Sequence, residues 1–123
     1  MYRGGTDAAA ITGAWTVTGY YTGTAVQSVL GGATLTANFG PKEIAGNGGC
    51  NTFSGPYEIT GDTIKIGDLA STLMACADPE LQTQEQHYLE ALGLATTYRV
   101  TGTRLELLRA DGGLAVTFET ARG

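Results

Sequence analysis

The chain contains two cysteines and one histidine, the side chains best suited to redox, metal or nucleophilic chemistry. Cys50 follows a glycine-rich turn at residues 46–49, and Cys76 lies just before a predicted helix that carries His87. No Cys-x-x-Cys spacing is present to lower a thiol pKa, and one histidine offers only one further metal ligand. The residues leave open a structural disulfide, buried free thiols or a metal site, and we predict neither a metal nor a cofactor.

Carboxylates are the other candidates for catalysis, and Glu85 differs from the rest. Most acidic residues lie in predicted turns or at the helix cap, where they have structural roles. Glu85 instead lies between Leu81 and Leu89 on the apolar stripe of the helix, so we expect a partly buried carboxylate. Its expected partners are strand amides or hydroxyls near Ser71 and Thr72. A small enzyme using Glu85 is a lesser alternative, because no Gly-x-Ser-x-Gly nucleophile motif accompanies it, and we predict no catalytic residue.

Charge and composition exclude several classes of partner. The net charge is -5 and seven basic residues are scattered along 123 positions, so neither nucleic acid nor an anionic membrane surface is an expected partner. The glycine-rich turn lacks the lysine of a phosphate-binding loop and leads into a strand, which argues against nucleotide binding. No apolar run is long enough to cross a membrane. Residues 1–10 have neither periodicity nor signal-peptide character, and we predict a disordered linker or cloning scar.

Apolar residues alternate with polar ones through most of the chain, which predicts many short strands. Asp78, Pro79 and Glu80 predict a helix start, and the helix extends to about Leu94. Short turns between the strands require antiparallel neighbours. We therefore predict one mostly β domain over residues 11–120, a small antiparallel barrel of about eight strands that one helix at about 78–94 closes or flanks.

Two local predictions concern the first part of the chain. Alternation in the first strand predicts one face with Trp15, Val17, Gly19 and Tyr21 and an opposite face with Thr16, Thr18 and Tyr20. Residues 22–32, rich in Gly, Thr and Ser, predict a loop of variable shape.

The two cysteine segments together resemble the META domain family. The likeness covers roughly residues 11–118, and its short motifs occur in the family's order. The residues that carry it are Trp15, Gly49, Cys50, Asn51, Phe53, Gly55, Tyr57, Ser71, Thr72, Leu73, Met74, Ala75, Cys76, Glu85, Tyr88, Leu89, Leu92, Leu105 and Leu107.

This resemblance implies a lipocalin-sized barrel with one helix and a disulfide between Cys50 and Cys76. It also implies a location in the bacterial cell envelope, as a periplasmic, lipid-anchored or secreted protein with a loose link to stress such as heat shock, secretion or motility. The family has no established catalytic residues to carry over.

Three functions are compatible with these features. The first is a non-enzymatic extracytoplasmic binding or accessory module, expected to be a monomer, that holds a protein, a peptide or a small apolar ligand. The second is a protease inhibitor that presents residues 22–32 or the N-terminal segment, and the third is the small enzyme with Glu85. Trp15, Tyr57, Tyr88 and Tyr98 are candidates for a ligand mouth, although such aromatic residues also build cores.

Overall fold

The structure is a computed structural model that describes residues 11–30, 33–72, 74, 76 and 78–120. Within these ranges it is mostly β with one helix. The elements are β1 (Gly13–Tyr21), β2 (Val26–Ser28), β3 (Thr36–Phe39), β4 (Glu43–Asn47), β5 (Thr52–Thr60), β6 (Thr63–Ile66), β7 (Ala70–Ser71), α1 (Pro79–Gly93), β8 (Ala95–Thr101), β9 (Arg104–Arg109) and β10 (Leu114–Thr120). The predicted linker at residues 1–10 lies outside the described residues.

Eight of the strands form a closed antiparallel barrel. Their order is β10, β9, β8, β6, β5, β4, β3 and β1, and β1 closes the sheet by pairing with β10. Strand β2 adds to β1 as an edge strand, and β7 pairs with β5. Because neighbouring strands follow one another through short turns, the barrel is a meander interrupted once by the helix. The predicted fold class is confirmed.

Inward-facing side chains fill the barrel. On β5 the alternation is regular, and Phe53, Gly55 and Tyr57 all face the interior. The rings of Phe39 and Tyr57 meet edge to face with their centroids 5.3 Å apart, and Phe39 meets Phe118 at 6.2 Å. Such pairs are favourable beyond the area that they bury, and they make the described interior a packed core.

Helix α1 closes one end of the barrel. Asp78 caps it, with a carboxylate oxygen accepting from the Glu80 amide at 2.9 Å, and Pro79 occupies the first turn as predicted. Tyr88 is fully buried, packs edge to face on Phe53 and donates from its hydroxyl to the carbonyl of Thr36. Contacts with β1, β6 and β10 as well place the helix across strands from around the barrel, so that it covers an end of the barrel.

The predicted alternation of β1 is wrong in its second half. Val17 pairs with Phe118 and Gly19 with Thr117, so a β-bulge inserts one extra residue between them. An extra residue reverses the facing of every residue that follows. Tyr20 is therefore buried in the core at 3% exposure, whereas Tyr21 is only partly buried.

The prediction of a loop at residues 22–32 is also wrong in part. Residues 26–28 form strand β2, in antiparallel register with residues 19–21 of β1. A tight turn precedes it, in which the Thr22 amide donates to the carbonyl of Ala25 at 2.9 Å. Pairing with β1 orders a segment whose composition alone has no strand pattern. Residues 31–32 lie outside the described residues.

Candidate functional site

The glycine-rich turn connects β4 to β5 and is closed by local hydrogen bonds. The Gly48 amide donates to the carbonyl of Asn51 at 2.8 Å, and the Gly49 amide donates to the Asn47 side chain at 2.7 Å. Gly49 has a φ of +112°, a conformation that a side chain disfavours. This geometry leaves the next two amides, of Cys50 and Asn51, free to bind a group outside the turn.

The Glu85 carboxylate is that group. Its Oε2 accepts from the amide of Cys50 at 3.1 Å and from the amide of Asn51 at 2.6 Å, and its Oε1 accepts from Asn51 Nδ2 at 2.8 Å. The residue is 7% exposed. The prediction of a buried carboxylate held by amide donors is confirmed, but the donors come from the turn instead of from residues 71–72. Three donors offset the cost of burying its charge.

Asn51 connects this carboxylate to the segment before the helix. Its Oδ1 accepts from the Thr72 hydroxyl at 2.8 Å and from the Met74 amide at 2.7 Å, and its Nδ2 also donates to the Met74 carbonyl at 3.2 Å. One buried amide side chain thus uses both its donor and its acceptor atoms. Ser71 is placed beside this network by its pairing with Phe53.

Cys50 and Cys76 form a disulfide with their Cα atoms 5.6 Å apart, as the resemblance implied. A cross-link over a separation of 26 residues stabilises a fold by roughly 3–4 kcal/mol in the chain-entropy model. Turn, disulfide, Asn51 and Glu85 thus form one unit that fixes the β4–β5 connection to the start and middle of α1. We call it the turn cluster.

Among the described residues, three potential metal ligands lie close together, and all three belong to the turn cluster. The sulfur atoms of Cys50 and Cys76 and a carboxylate oxygen of Glu85 all lie within 4.8 Å of one another. Thiolate is the form of cysteine that binds metals, and here the two sulfurs are bonded to each other. In this state the cluster is a structural unit.

The four aromatic residues predicted as a ligand mouth do not form one. Trp15, Tyr57, Tyr88 and Tyr98 are all buried, with exposures between 0% and 5%. Each also donates a hydrogen bond to a carbonyl of the chain; for example, Trp15 Nε1 donates to Ile11 at 2.9 Å. Burial raises the pKa of the Tyr88 hydroxyl well above 10.0. Trp15, Tyr57 and Tyr98 lie on strands and Tyr88 lies on the helix, and all four rings are part of the barrel's core.

A cleft of about 300 Å³ lies instead between the first half of α1 and strand β2. Tyr20 and His87 form one side, with ring centroids 6.5 Å apart and an angle of 28° between the ring planes. Gln84 also lines the cleft, and its Oε1 accepts from the Leu30 amide at 2.8 Å. Burial by the surrounding residues raises the pKa of the Tyr20 hydroxyl. We call this the α1–β2 cleft.

Gln84 has a polar atom that the rest of the described chain does not satisfy. The side chain is 2% exposed, and its Nε2 has no hydrogen-bond partner among the described residues. A buried donor without an acceptor costs about 1–3 kcal/mol. The apolar stripe predicted from Leu81, Glu85 and Leu89 does not include Gln84. Gln84 lies three residues after Leu81 and four before Tyr88. This helical spacing was the signal in the sequence for its burial.

The fold and the turn cluster define a class of protein: a small, filled antiparallel barrel that is closed by one helix and cross-linked by one disulfide. The profile of the META domain matches residues 8–122. The chain belongs to the META domain family. No curated protein matches it.

Solved structures share the fold. A protein from Burkholderia xenovorans, solved by NMR, superposes with a TM-score of 0.75 at 23% identity and covers 100% of this chain and 94% of its own. A second NMR structure superposes with a TM-score of 0.65 at 25% identity, over 90% of this chain and 91% of its own. A DUF4847 family protein from Bacteroides vulgatus has a TM-score of 0.60 at 16% identity, over 89% and 92%. These likenesses concern architecture alone.

Proposed function

We propose that this domain is a non-enzymatic binding or accessory module of the bacterial cell envelope. Two features of the chain could take part in chemistry, the cysteine pair and the Glu85 carboxylate. The observation that carries the proposal is that both are bonded within the turn cluster. The carboxylate accepts three hydrogen bonds and the sulfurs are bonded to each other. Their role is to hold a rigid frame.

The disulfide supports the extracytoplasmic part of the proposal. Disulfides persist in the periplasm and in secreted proteins, whereas cytosolic reductants keep most thiols reduced. Over the described residues, no helix is long and apolar enough to span a membrane. A filled barrel also directs binding to the outer surface, where clefts and the edge of β2 are available.

Cell fractionation combined with thiol trapping tests this proposal. Cells that make the protein are treated with an alkylating reagent in situ, separated into cytosol, periplasm, membranes and medium, and analysed by intact mass. We expect the protein outside the cytosol, with Cys50 and Cys76 alkylated only after reduction. A cytosolic protein with both thiols alkylated before reduction would contradict the proposal.

A second candidate, a protease inhibitor, is favoured by one observation at Met74. This side chain is 64% exposed, while Asn51 holds both the amide and the carbonyl of the same residue. Cys76, two residues further on, is fixed by the disulfide. An exposed apolar side chain on a backbone held in place can enter the specificity pocket of a protease with little loss of entropy. Met74 is thus a further candidate for the inhibitory contact, beside residues 22–32 and the N-terminal segment.

A panel of serine proteases with matched variants tests the second candidate. Met74→Ala should weaken inhibition by about tenfold or more, as expected for a central anchor residue. Leu94→Ala is the control, because Leu94 is an exposed apolar residue at 46% exposure outside this segment. Absence of inhibition by the unmodified domain, or equal loss in both variants, would remove this candidate.

A further inference from the structure

We propose that the α1–β2 cleft and the outer edge of β2 together bind an extended, neutral or basic peptide segment of a partner protein. The inference rests on the proposal that the domain is a binding module and names the class of its partner. It requires neither the envelope location nor the inhibitor segment at Met74.

The edge of β2 offers backbone hydrogen bonds to such a peptide. Strand β2 ends the sheet, with β1 on one side and no strand of the described residues on the other. The Thr22–Ala25 hydrogen bond sets the alternation of the hairpin, so that Gln27 bonds with Tyr20 of β1. The backbone groups of Val26 and Ser28 then point outward. All three residues of β2 are exposed, and a free edge of this kind is a template for an added strand.

The cleft beside this edge can take one side chain and one carbonyl of the peptide. Gln27 belongs to β2 and also lines the cleft, so the edge and the cleft form a continuous surface. His87 is only partly buried and stacks on the buried Tyr20 ring, so that it gives the cleft an aromatic wall. Gln84 Nε2 is an unused donor, and a carbonyl that enters after a small rotation of this side chain would satisfy it. A cleft of about 300 Å³ is the size of a pocket for one small group.

Charge selects among the possible peptides. Glu80 is the one acidic residue that lines the cleft, where no lysine or arginine of the described residues is present. The whole chain also carries a net charge of -5. An acidic segment would be repelled, whereas a neutral or basic one would be tolerated or attracted.

The test is a titration of the ¹⁵N-labelled domain with capped seven-residue peptides, followed by amide NMR shifts. The first peptide has tyrosine at its centre, alternating valine and threonine, and lysine at both ends. The second replaces lysine by glutamate, and the third replaces both threonines by proline, which removes backbone donors. A capped tyrosine amide tests the side chain alone. Two variants complete the set: Gln84→Met removes the unused donor together with the acceptor of the Leu30 amide, and Gln86→Met is the control on the same helix.

We expect the basic peptide to shift the amides of residues 26–30 and the side-chain amide of Gln84. The glutamate and proline peptides should bind at least fivefold more weakly. Gln84→Met should weaken binding about fivefold, the value of one neutral hydrogen bond, and Gln86→Met should leave it unchanged.

Four results would overturn the inference. These are no shifts with the basic peptide, equal binding of the proline peptide, equal shifts with the capped tyrosine amide, or shifts of residues 26–30 that depend on domain concentration alone. The third identifies a small-molecule cleft, and the fourth identifies a second copy of the chain as the occupant. Each leaves the envelope proposal standing, because fractionation tests that separately.

Discussion

Gln84 and Glu85 are consecutive residues of one helix, and both are buried, at 2% and 7% exposure. The two side chains differ in how many of their polar atoms are hydrogen-bonded. Glu85 accepts three hydrogen bonds from the turn, and a disulfide ties the same turn to the segment before the helix. Gln84 uses its oxygen on the Leu30 amide and leaves its nitrogen without a described partner. One helix therefore faces a completed polar network on one side and an incomplete one on the other.

This difference in hydrogen bonding distinguishes a structural role for Glu85 from a binding role for Gln84. A buried polar group that is fully satisfied rigidifies its surroundings, whereas an unsatisfied one is costly and needs an explanation. The turn cluster has the first property and the α1–β2 cleft has the second. By this reasoning, the most reactive side chains, those of the two cysteines and Glu85, have a structural role. The less reactive amide of Gln84 belongs to the proposed binding surface.

Replacing Glu85 should give the largest effect. Glu85→Met keeps the approximate volume of the side chain but leaves the amides of Cys50 and Asn51 without their acceptor and removes one of the two acceptors of Asn51 Nδ2. We expect the free energy of unfolding to fall by about 3–5 kcal/mol, since breaking a buried charged interaction has a cost of this size. Urea denaturation measures it. A loss below about 1 kcal/mol would show that the turn does not depend on the carboxylate.

Reduction of the disulfide should have the next largest effect. Opening the Cys50–Cys76 cross-link, which spans 26 residues, should lower the free energy of unfolding by roughly 3–4 kcal/mol. Urea denaturation with and without a phosphine reductant measures the change, and intact mass after alkylation verifies the thiol state. An unchanged denaturation midpoint in the fully reduced protein would contradict a stabilising role.

Gly48→Ala should disturb the turn cluster without removing a polar atom. A Cβ at this position would lie 2.7 Å from Glu85 Cγ, so the carboxylate must move. We expect a loss of about 1–3 kcal/mol. Gly93→Ala is the control, because nothing lies within 4 Å of its added Cβ and alanine favours the helix. The control should be neutral or stabilising, and equal losses in both variants would contradict the contact.

The smallest effect concerns a carboxylate on the outer surface of the sheet. Burial of Glu106 opposes ionisation, but hydrogen bonds and positive charges from Arg99 and Arg104 outweigh it and lower its pKa below 4.5. Because the folded-state pKa lies below the unfolded one, the stabilisation is present above about pH 4.5 and is lost as the pH falls through the folded-state pKa.

The expected contribution of Glu106 is no more than about 1 kcal/mol, as for other surface ion pairs. Glu106→Gln should be less stable than the unmodified protein at neutral pH, and the difference should vanish in acid. Urea denaturation at several pH values measures this. A difference that grows toward low pH would have the wrong sign.

The sequence predicts the barrel well because strand alternation and the helix cap are local signals. Asp78 and Pro79 mark the helix start directly, and β5 keeps one regular period throughout. The burial of Glu85 also follows from helical spacing. Its donors could not be predicted, since they come from a turn 34 and 35 residues away, and only tertiary packing brings the two together.

The candidate cleft was not predictable to the same degree. The bulge in β1 moves Tyr20 inward, and pairing with β1 makes a strand of residues 26–28. Both depend on neighbouring strands and not on local composition. Gln84 is polar and is not part of the apolar stripe predicted through Leu81 and Leu89, although its helical spacing places it beside Tyr88.

The most direct test compares Gln84→Met with Glu85→Met in one urea denaturation series. The two substitutions are matched in position, helix propensity and final side chain. Gln84→Met loses the acceptor of the Leu30 amide but also removes an unsatisfied donor, so its free energy of unfolding should change by no more than about 1 kcal/mol. If Gln84→Met lowered the free energy of unfolding by the roughly 3–5 kcal/mol expected for Glu85→Met, both residues would have a structural role and the central claim would be wrong.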